Sequence, residues 1–134
     1  MSQPVGIDGL QSFAFGDSPE MADRLLARVI EGRKTASCAP LRDLTPLGDE
    51  PMPVAGHRYI VLDGQQRPAA VIETLDVVIR RFDEVTEDFA LAEGEGDFAA
   101  WREGHKAFFA RNGGWTPDLE LACERFRLIE VLPR

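Results

Sequence analysis

Between Ser18 and Gly32 the chain carries one helix with both of its ends marked, and the residues just past the second end constrain the rest. Ser18 can cap the first turn, Pro19 suits the first helical position, and Glu20 faces the positive end of the dipole. Met21, Leu25, Leu26, Val29 and Ile30 recur at helical spacing, which predicts a helix over about 19–31. Arg24, Arg28 and Glu31 fall on its other faces. Gly32 ends it, since glycine accepts the left-handed conformation that closes a helix. Lys34, Thr35 and Ser37 come at once after it, where a bend can aim polar groups into a cleft. A lysine beside a serine is one way to build an activated nucleophile. Lys34 and Ser37 are three positions apart, so in a regular strand they would face opposite ways. Shared chemistry requires a turn or bulge between them.

The remainder reads as short strands and two helical excursions. Pro40 to Pro53 is a loop rich in proline, glycine and aspartate. Tyr59–Leu62 is a strand, Asp63-Gly64 marks a hairpin, and Ala69–Phe82 is a second strand long enough to bend. Thr86 can start a short helix that the Glu93-Gly94-Glu95-Gly96 stretch interrupts. Asp97 can cap a further helix from Phe98 to about Arg111, with Phe98, Trp101, Phe108 and Phe109 on one face and Asn112-Gly113-Gly114 at its end. Leu119–Leu132 reads as the closing strand. The order helix, loop, hairpin, helices, strand predicts a small α+β domain on a mixed or closed sheet. We divide the chain into a lead-in, 1–12, and one domain, 13–134. Met21, Leu25, Val29, Trp101 and Phe108 are the expected core.

Composition excludes several functions. The 134 residues carry a net charge of −8, which argues against tight nonspecific binding of long RNA or DNA, although Arg24, Arg28, Arg33 and Lys34 lie close enough together to make a local basic face. Affinity for long RNA should be weak and sensitive to salt, which leaves room for a nucleoside or another small ligand. No apolar run approaches the ~20 residues of a membrane span, so no membrane partner is expected. The first residues show no secretion signal, and we expect a cytoplasmic protein. The two cysteines, Cys38 and Cys123, are read as reduced apolar residues. The two histidines, His57 and His105, stand in no ligand pattern, so neither a structural zinc nor another cofactor is expected.

Four stretches in register resemble the ASCH family. They are Phe15-Gly16-Asp17-Ser18-Pro19, Gly32-Arg33-Lys34-Thr35-Ala36-Ser37, Ala92-Glu93-Gly94-Glu95-Gly96-Asp97 and Cys123-Glu124-Arg125-Phe126. The resemblance runs from about Phe13 to the C-terminus and is to a longer bacterial branch of the family. It implies a PUA-like β-barrel of five or six strands with helices packed around a cleft, and a ligand that is RNA or a nucleotide. A related small bacterial branch is an amidohydrolase that deacetylates N4-acetylcytidine, and another member is described as a ribonuclease. In the amidohydrolases a Lys-x-x-Thr pattern supplies base and nucleophile, and a glutamate of Ala-Glu-x-Glu supplies a proton. Those roles carry over to Lys34, Ser37 and Glu95 as catalytic residues. Two positions depart from that branch: serine replaces threonine at Ser37, and Ala39 stands where an arginine is found.

Around these three, Arg33, Thr35, Glu93 and Trp115 are the candidate substrate-binding residues. Arg33 can pair with a phosphate or carboxylate, and Trp115, after two glycines, can offer a stacking face. Trp101 and Phe109 are read as core, and Glu124 with Arg125 as a structural cross-strand pair. Three functions stay open: an amidohydrolase acting on an N-acylated nucleoside without a metal, a noncatalytic RNA-binding module, and a ribonuclease with a divalent ion on Glu93, Glu95 or Asp97. The oligomeric state is left open.

Overall fold

The computed structural model describes residues 9–134, so most of the lead-in read over 1–12 lies outside the described residues. Five strands form one mixed sheet: β1 (Ser12–Phe13), β2 (Ala36–Pro40), β3 (Arg58–Leu62), β4 (Pro68–Arg81) and β5 (Glu120–Val131). The order is β1-β3-β4-β5-β2. β1 runs parallel to β3, and the other neighbours are antiparallel. Three helices accompany it: α1 (Pro19–Ile30), α2 (Glu87–Ala92) and α3 (Phe98–Arg111).

The α+β class is the expected one, but the barrel is open. Among the described residues no ladder joins the edge strands β1 and β2. β1 has only two residues, and β2 ends at Pro40, which has no N–H to offer a neighbour. Register shifts at Val71/Ile72 and Thr74/Asp76 bend β4, as its length foretold.

Alternation along β5 divides the core in two. Phe126 joins Phe15, Leu25, Leu26, Val29, Tyr59, Val61 and Ile72 under α1. Leu121 and Cys123 join Phe82, Phe89, Trp101 and Phe109 under α2 and α3. Leu25, Val29 and Trp101 are buried as expected, while Met21 and Phe108 are only partly buried.

The ends of α1 are those read from sequence. The Ser18 hydroxyl accepts from the Met21 N–H at 3.1 Å, and Gly32 has φ +82°. Beyond the glycine, expectation and structure part. Ala36–Pro40 is a strand, not part of a turn. Its flanking polar residues hid it, but its burial against β5 supplies the pairing that local propensity does not. The expected pair of Glu124 with Arg125 also fails, because consecutive strand residues face opposite sides. Arg125 bonds Asp88 at 3.1 Å, and Glu124 accepts from the Thr74 hydroxyl at 2.6 Å.

Candidate functional site

Lys34 lies where the helix exit meets the end of α2. After Gly32, the N–H groups of Arg33 and Lys34 both bond the Arg28 carbonyl, at 2.9 and 3.1 Å, and this turn directs the next residues inward. The Thr35 N–H then bonds the Ala92 carbonyl at 2.8 Å, and the Phe126 N–H bonds the Thr35 carbonyl at 3.0 Å. Thr35 thus ties α2 to β5 through its backbone.

The acidic stretch meets this turn through Gly94. Its φ is +74°, and a Cβ built on it would lie 2.5 Å from the Arg33 carbonyl oxygen. Only glycine lets the two backbones approach so closely. Glu93 and Glu95, on either side, are thereby brought to Lys34. The Lys34 ammonium lies 3.1 Å from Glu93 Oε1, 3.0 Å from the Ala36 carbonyl and 3.6 Å from Glu95 Oε2. It also stands 5.2 Å from the centre of the Phe15 ring.

α3 completes the cluster. The Trp101 indole N–H donates to Glu93 Oε2 at 2.9 Å. His105, one turn on, stacks on Trp101 with centroids 4.4 Å apart and bonds the Trp101 carbonyl through Nδ1 at 2.9 Å. Its Nε2 then faces Glu93 Oε2 at 3.5 Å and Glu95 Oε2 at 3.9 Å. Burial would raise the Glu93 carboxyl, but the charges of Lys34 and His105, with hydrogen bonds from His105 and Trp101, outweigh it and hold it at about 2. Burial would lower His105, but Glu93 and then Glu95 outweigh that and raise it above its ordinary value. Burial, the Glu93 charge and the neighbouring Cys123 push the Cys38 thiol well above the usual range.

These groups border a cavity of about 430 Å³. Asp17, Arg24, Ser37, Glu95, His105 and Arg111 are among its lining residues, with Lys34 and Glu93 at its base. Access differs sharply among them. The side chains of Lys34 and Glu93 are 1% and 2% exposed, those of His105 and Glu95 13% and 18%. A ligand in the cavity meets Glu95 and His105 before it meets Lys34. At the mouth, Asp17 bonds Arg111 at 2.7 Å and the Asn112 amide at 2.8 Å, which lowers its carboxyl to about 2 despite partial burial.

Of the seven residues picked from sequence, Lys34, Ser37, Glu93 and Glu95 come together at this cavity. Ser37 makes no side-chain hydrogen bond with Lys34 among the described residues; the two meet only as parts of one wall. Three do not arrive. Arg33 is exposed and paired with Glu31 at 3.1 Å. Thr35 points its hydroxyl at the Ala92 carbonyl, 3.4 Å away. Trp115 packs edge-on against Phe82, with centroids 5.4 Å apart, so its ring belongs to the core below α3 and not to a stacking platform. Its turn position gave no sign of this, because Phe82 is distant in sequence.

Sequence reasoning missed His105 and Cys38. The usable signal for His105 was its place four residues after Trp101, on the apolar face of α3. Cys38 Sγ, Glu93 and His105 offer donor atoms within 4.8 Å of one another, the one trio among the described residues arranged to hold a metal ion. A metal there would compete with the Lys34 ammonium and the Trp101 N–H, which already engage both Glu93 oxygens. Asp97, named with Glu93 and Glu95 as a possible ion ligand, is exposed and caps α3 through the Ala100 N–H at 2.8 Å. That acidic trio does not form a divalent-ion site.

No curated protein matches the chain. Solved structures do. A crystal structure of a protein from Enterococcus faecalis shares 38% identity over 90% of this chain and 77% of its own, with a TM-score of 0.81. An ASCH domain from Lactobacillus crispatus shares 29% identity over 89% of this chain and 79% of its own, with a TM-score of 0.79. An ASCH protein from Zymomonas mobilis, at 12% identity and a TM-score of 0.54 over 92% of this chain and 71% of its own, shares the fold alone. The family model for the ASCH domain matches residues 11–130, and the chain belongs to the ASCH domain family.

Proposed function

We propose that the cavity takes a nucleoside-sized ligand and that the protein, working in the cytoplasm, hydrolyses an N-acyl group from the exocyclic amine of a cytosine-like base. The observation that supports this reading is the convergence of Ser37 and Glu95 on one cavity, with Glu95 backed by the buried Lys34. Cleaving an amide requires a group that takes a proton from the nucleophile and returns it to the leaving amine. Glu95 is the carboxylate open enough to do both.

In this reading the base role passes from Lys34 to Glu95. Lys34 is closed to solvent and engaged by two carboxylates, so it orients Glu95 and does not reach the substrate. Glu95 takes the Ser37 hydroxyl proton as Oγ attacks the acyl carbon. The same proton passes to the amine nitrogen as the C–N bond breaks, leaving an acyl ester on Ser37. Water then attacks that ester, gives its proton to Glu95, and Glu95 returns it to Ser37 Oγ as the carboxylic acid departs.

The test is a panel of N-acylated nucleosides incubated with the wild type and with Ser37→Ala and Glu95→Gln, monitoring release of the free amine. Hydrolysis lost in both variants is the result expected. Binding of nucleosides or short RNA without turnover would replace the enzyme by a binding module, and cleavage of RNA with no amide hydrolysis would replace it by a ribonuclease.

A further inference from the structure

β4 outruns its neighbour on one side. β5 pairs with it from Ala70 to Arg81, but β3 stops at Glu73. Past that point the outer edge of β4 is closed at two places. The Thr74 carbonyl accepts from the Gly56 N–H at 2.8 Å, and the Thr74 N–H bonds the His57 carbonyl at 2.9 Å. Seven residues on, the Arg81 N–H bonds Glu84 Oε1 at 3.2 Å. Between these closures, the alternation of an antiparallel ladder decides which backbone groups face out. The Phe82 N–H bonds the carbonyl of Leu119, just before β5, at 2.8 Å. In this stretch, therefore, Asp76, Val78 and Arg80 turn their backbone groups to β5, and Val77 and Ile79 turn theirs away. Among the described residues no backbone group pairs with Val77 or Ile79 on that outer side.

The side chains along the same stretch carry apolar surface outward. Val78 and Ile79 are 42% and 45% exposed, and neither joins a core cluster. Proteins usually blunt an open edge with charge, proline or a cover, because it is a template for another strand. Here the charges are placed symmetrically about Val78, with Asp76 two residues before it and Arg80 two residues after. Neither forms an ion pair among the described residues, although Arg125 stands opposite Asp76 on β5 and is bonded to Asp88 instead.

We propose that this edge of β4 pairs antiparallel with the same edge of a second copy of the chain, about a two-fold axis at Val78, so that two sheets run on as one. In that register Val77 exchanges backbone hydrogen bonds with the partner's Ile79, and Ile79 with the partner's Val77. Asp76 lies beside the partner's Arg80 on one face, twice over by symmetry, with the two Val78 side chains between them. A slip of one residue sets outward backbone groups against inward ones. A slip of two sets Asp76 or Arg80 against Val78 and separates the charges. The pairing is independent of the reaction proposed above, since none of these residues lines the cavity.

Sedimentation velocity of the whole protein, with amide exchange followed by NMR on the same samples, tests this. A strand pair this short stands at the low end of specific interfaces, so the dimer should assemble reversibly at roughly 10–100 µM chain. We expect exchange at the Val77 and Ile79 N–H groups to slow as concentration rises, while exchange at Val78, which bonds β5, changes less. Val78→Lys sets two ammonium groups face to face at the axis, and Asp76→Arg sets arginine against arginine. Each should weaken association at least about tenfold while the thermal transition shows a folded chain. Asp76→Arg combined with Arg80→Asp restores opposite charges in the same register and should return association to near the wild-type strength. A wild type that stays monomeric overturns the proposal, including one whose edge captures a different protein or peptide. So does a dimer that folded Val78→Lys leaves unchanged, and so does a combined variant that associates no better than Asp76→Arg alone.

Discussion

Lys34 Nζ and Glu93 Oε1 lie 3.1 Å apart with both side chains closed to solvent, although 59 positions separate the two residues. A buried pair of this kind does little for stability against an apolar substitute, but breaking it strands a charge. Lys34→Met alone and Glu93→Gln alone should each cost about 3–5 kcal/mol, and Lys34→Met with Glu93→Leu should recover most of the loss. Urea unfolding of the three proteins measures this. Additive single losses in the double variant would mean that the two charges do not depend on each other.

Gly94 should tolerate no side chain. Gly94→Ala combines a positive φ with a clash against the Arg33 backbone and should destabilise by roughly 1–3 kcal/mol. The same change should move Glu95 relative to Ser37 and lower turnover beyond the stability loss. Gly32→Ala is the control: its φ is also positive, but nothing lies within 4 Å of its added Cβ. An equal cost at both positions would remove the close approach as the reason for the glycine at 94.

The cluster predicts a stability curve that falls on two sides. Glu93 is held at about 2 against an ordinary 4.5, so its contribution is present above 4.5 and lost as pH falls toward 2. Asp17, held at about 2 against 3.8, adds a smaller loss over a similar range because its side chain is partly exposed. His105 is raised above 6.5, so its contribution is present below 6.5 and lost as pH rises through its folded value. Thermal midpoints between pH 2 and 9 should therefore decline at both ends. In His105→Gln the decline above pH 6.5 should flatten while most of the acid limb remains.

In the proposed reaction Ser37 and Glu95 act as one unit. Glu95→Gln should lower kcat by roughly 10²–10⁴, the usual worth of a positioned acid or base. Adding Ser37→Ala to it should cost little more, because members of such a unit are not additive. Single-turnover measurements on one acylated nucleoside decide this. Full activity in Ser37→Ala would transfer attack to water.

Binding of long RNA should stay weak. Lys34 is buried, and Arg33, Arg111 and Arg125 are already paired with Glu31, Asp17 and Asp88. The slope of log affinity against log salt should be about one unit per phosphate contact and amount to a few units at most. A steep slope in a filter-binding titration would reveal a basic face that this arrangement does not provide.

How far the sequence could be read depends on the range of each interaction. The caps at Ser18 and Asp97, the stop at Gly32 and the bent strand β4 were legible because each depends on neighbours within a few residues. Strand β2 was not, since Ala36–Pro40 has little strand character and owes its shape to β5. Lys34 and Ser37 were picked from their place after the helix and from the resemblance, Glu95 from the resemblance and its glycine-flanked turn, and Arg33, Thr35 and Trp115 from their position and side-chain chemistry. The fold turned the last three elsewhere.

By itself the sequence determined where the helices begin and end, that the chain is acidic overall, and that the backbone can turn tightly at Gly94. Those rest on local sterics, capping and net charge. Only the tertiary structure decided that His105 and Cys38 join Glu93 and that Lys34 is sealed while Glu95 stays open. Such facts rest on which of two strand faces a side chain takes and on which helix covers it. They arise when β2, β5, α2 and α3 pack together, and no stretch of a few residues contains them.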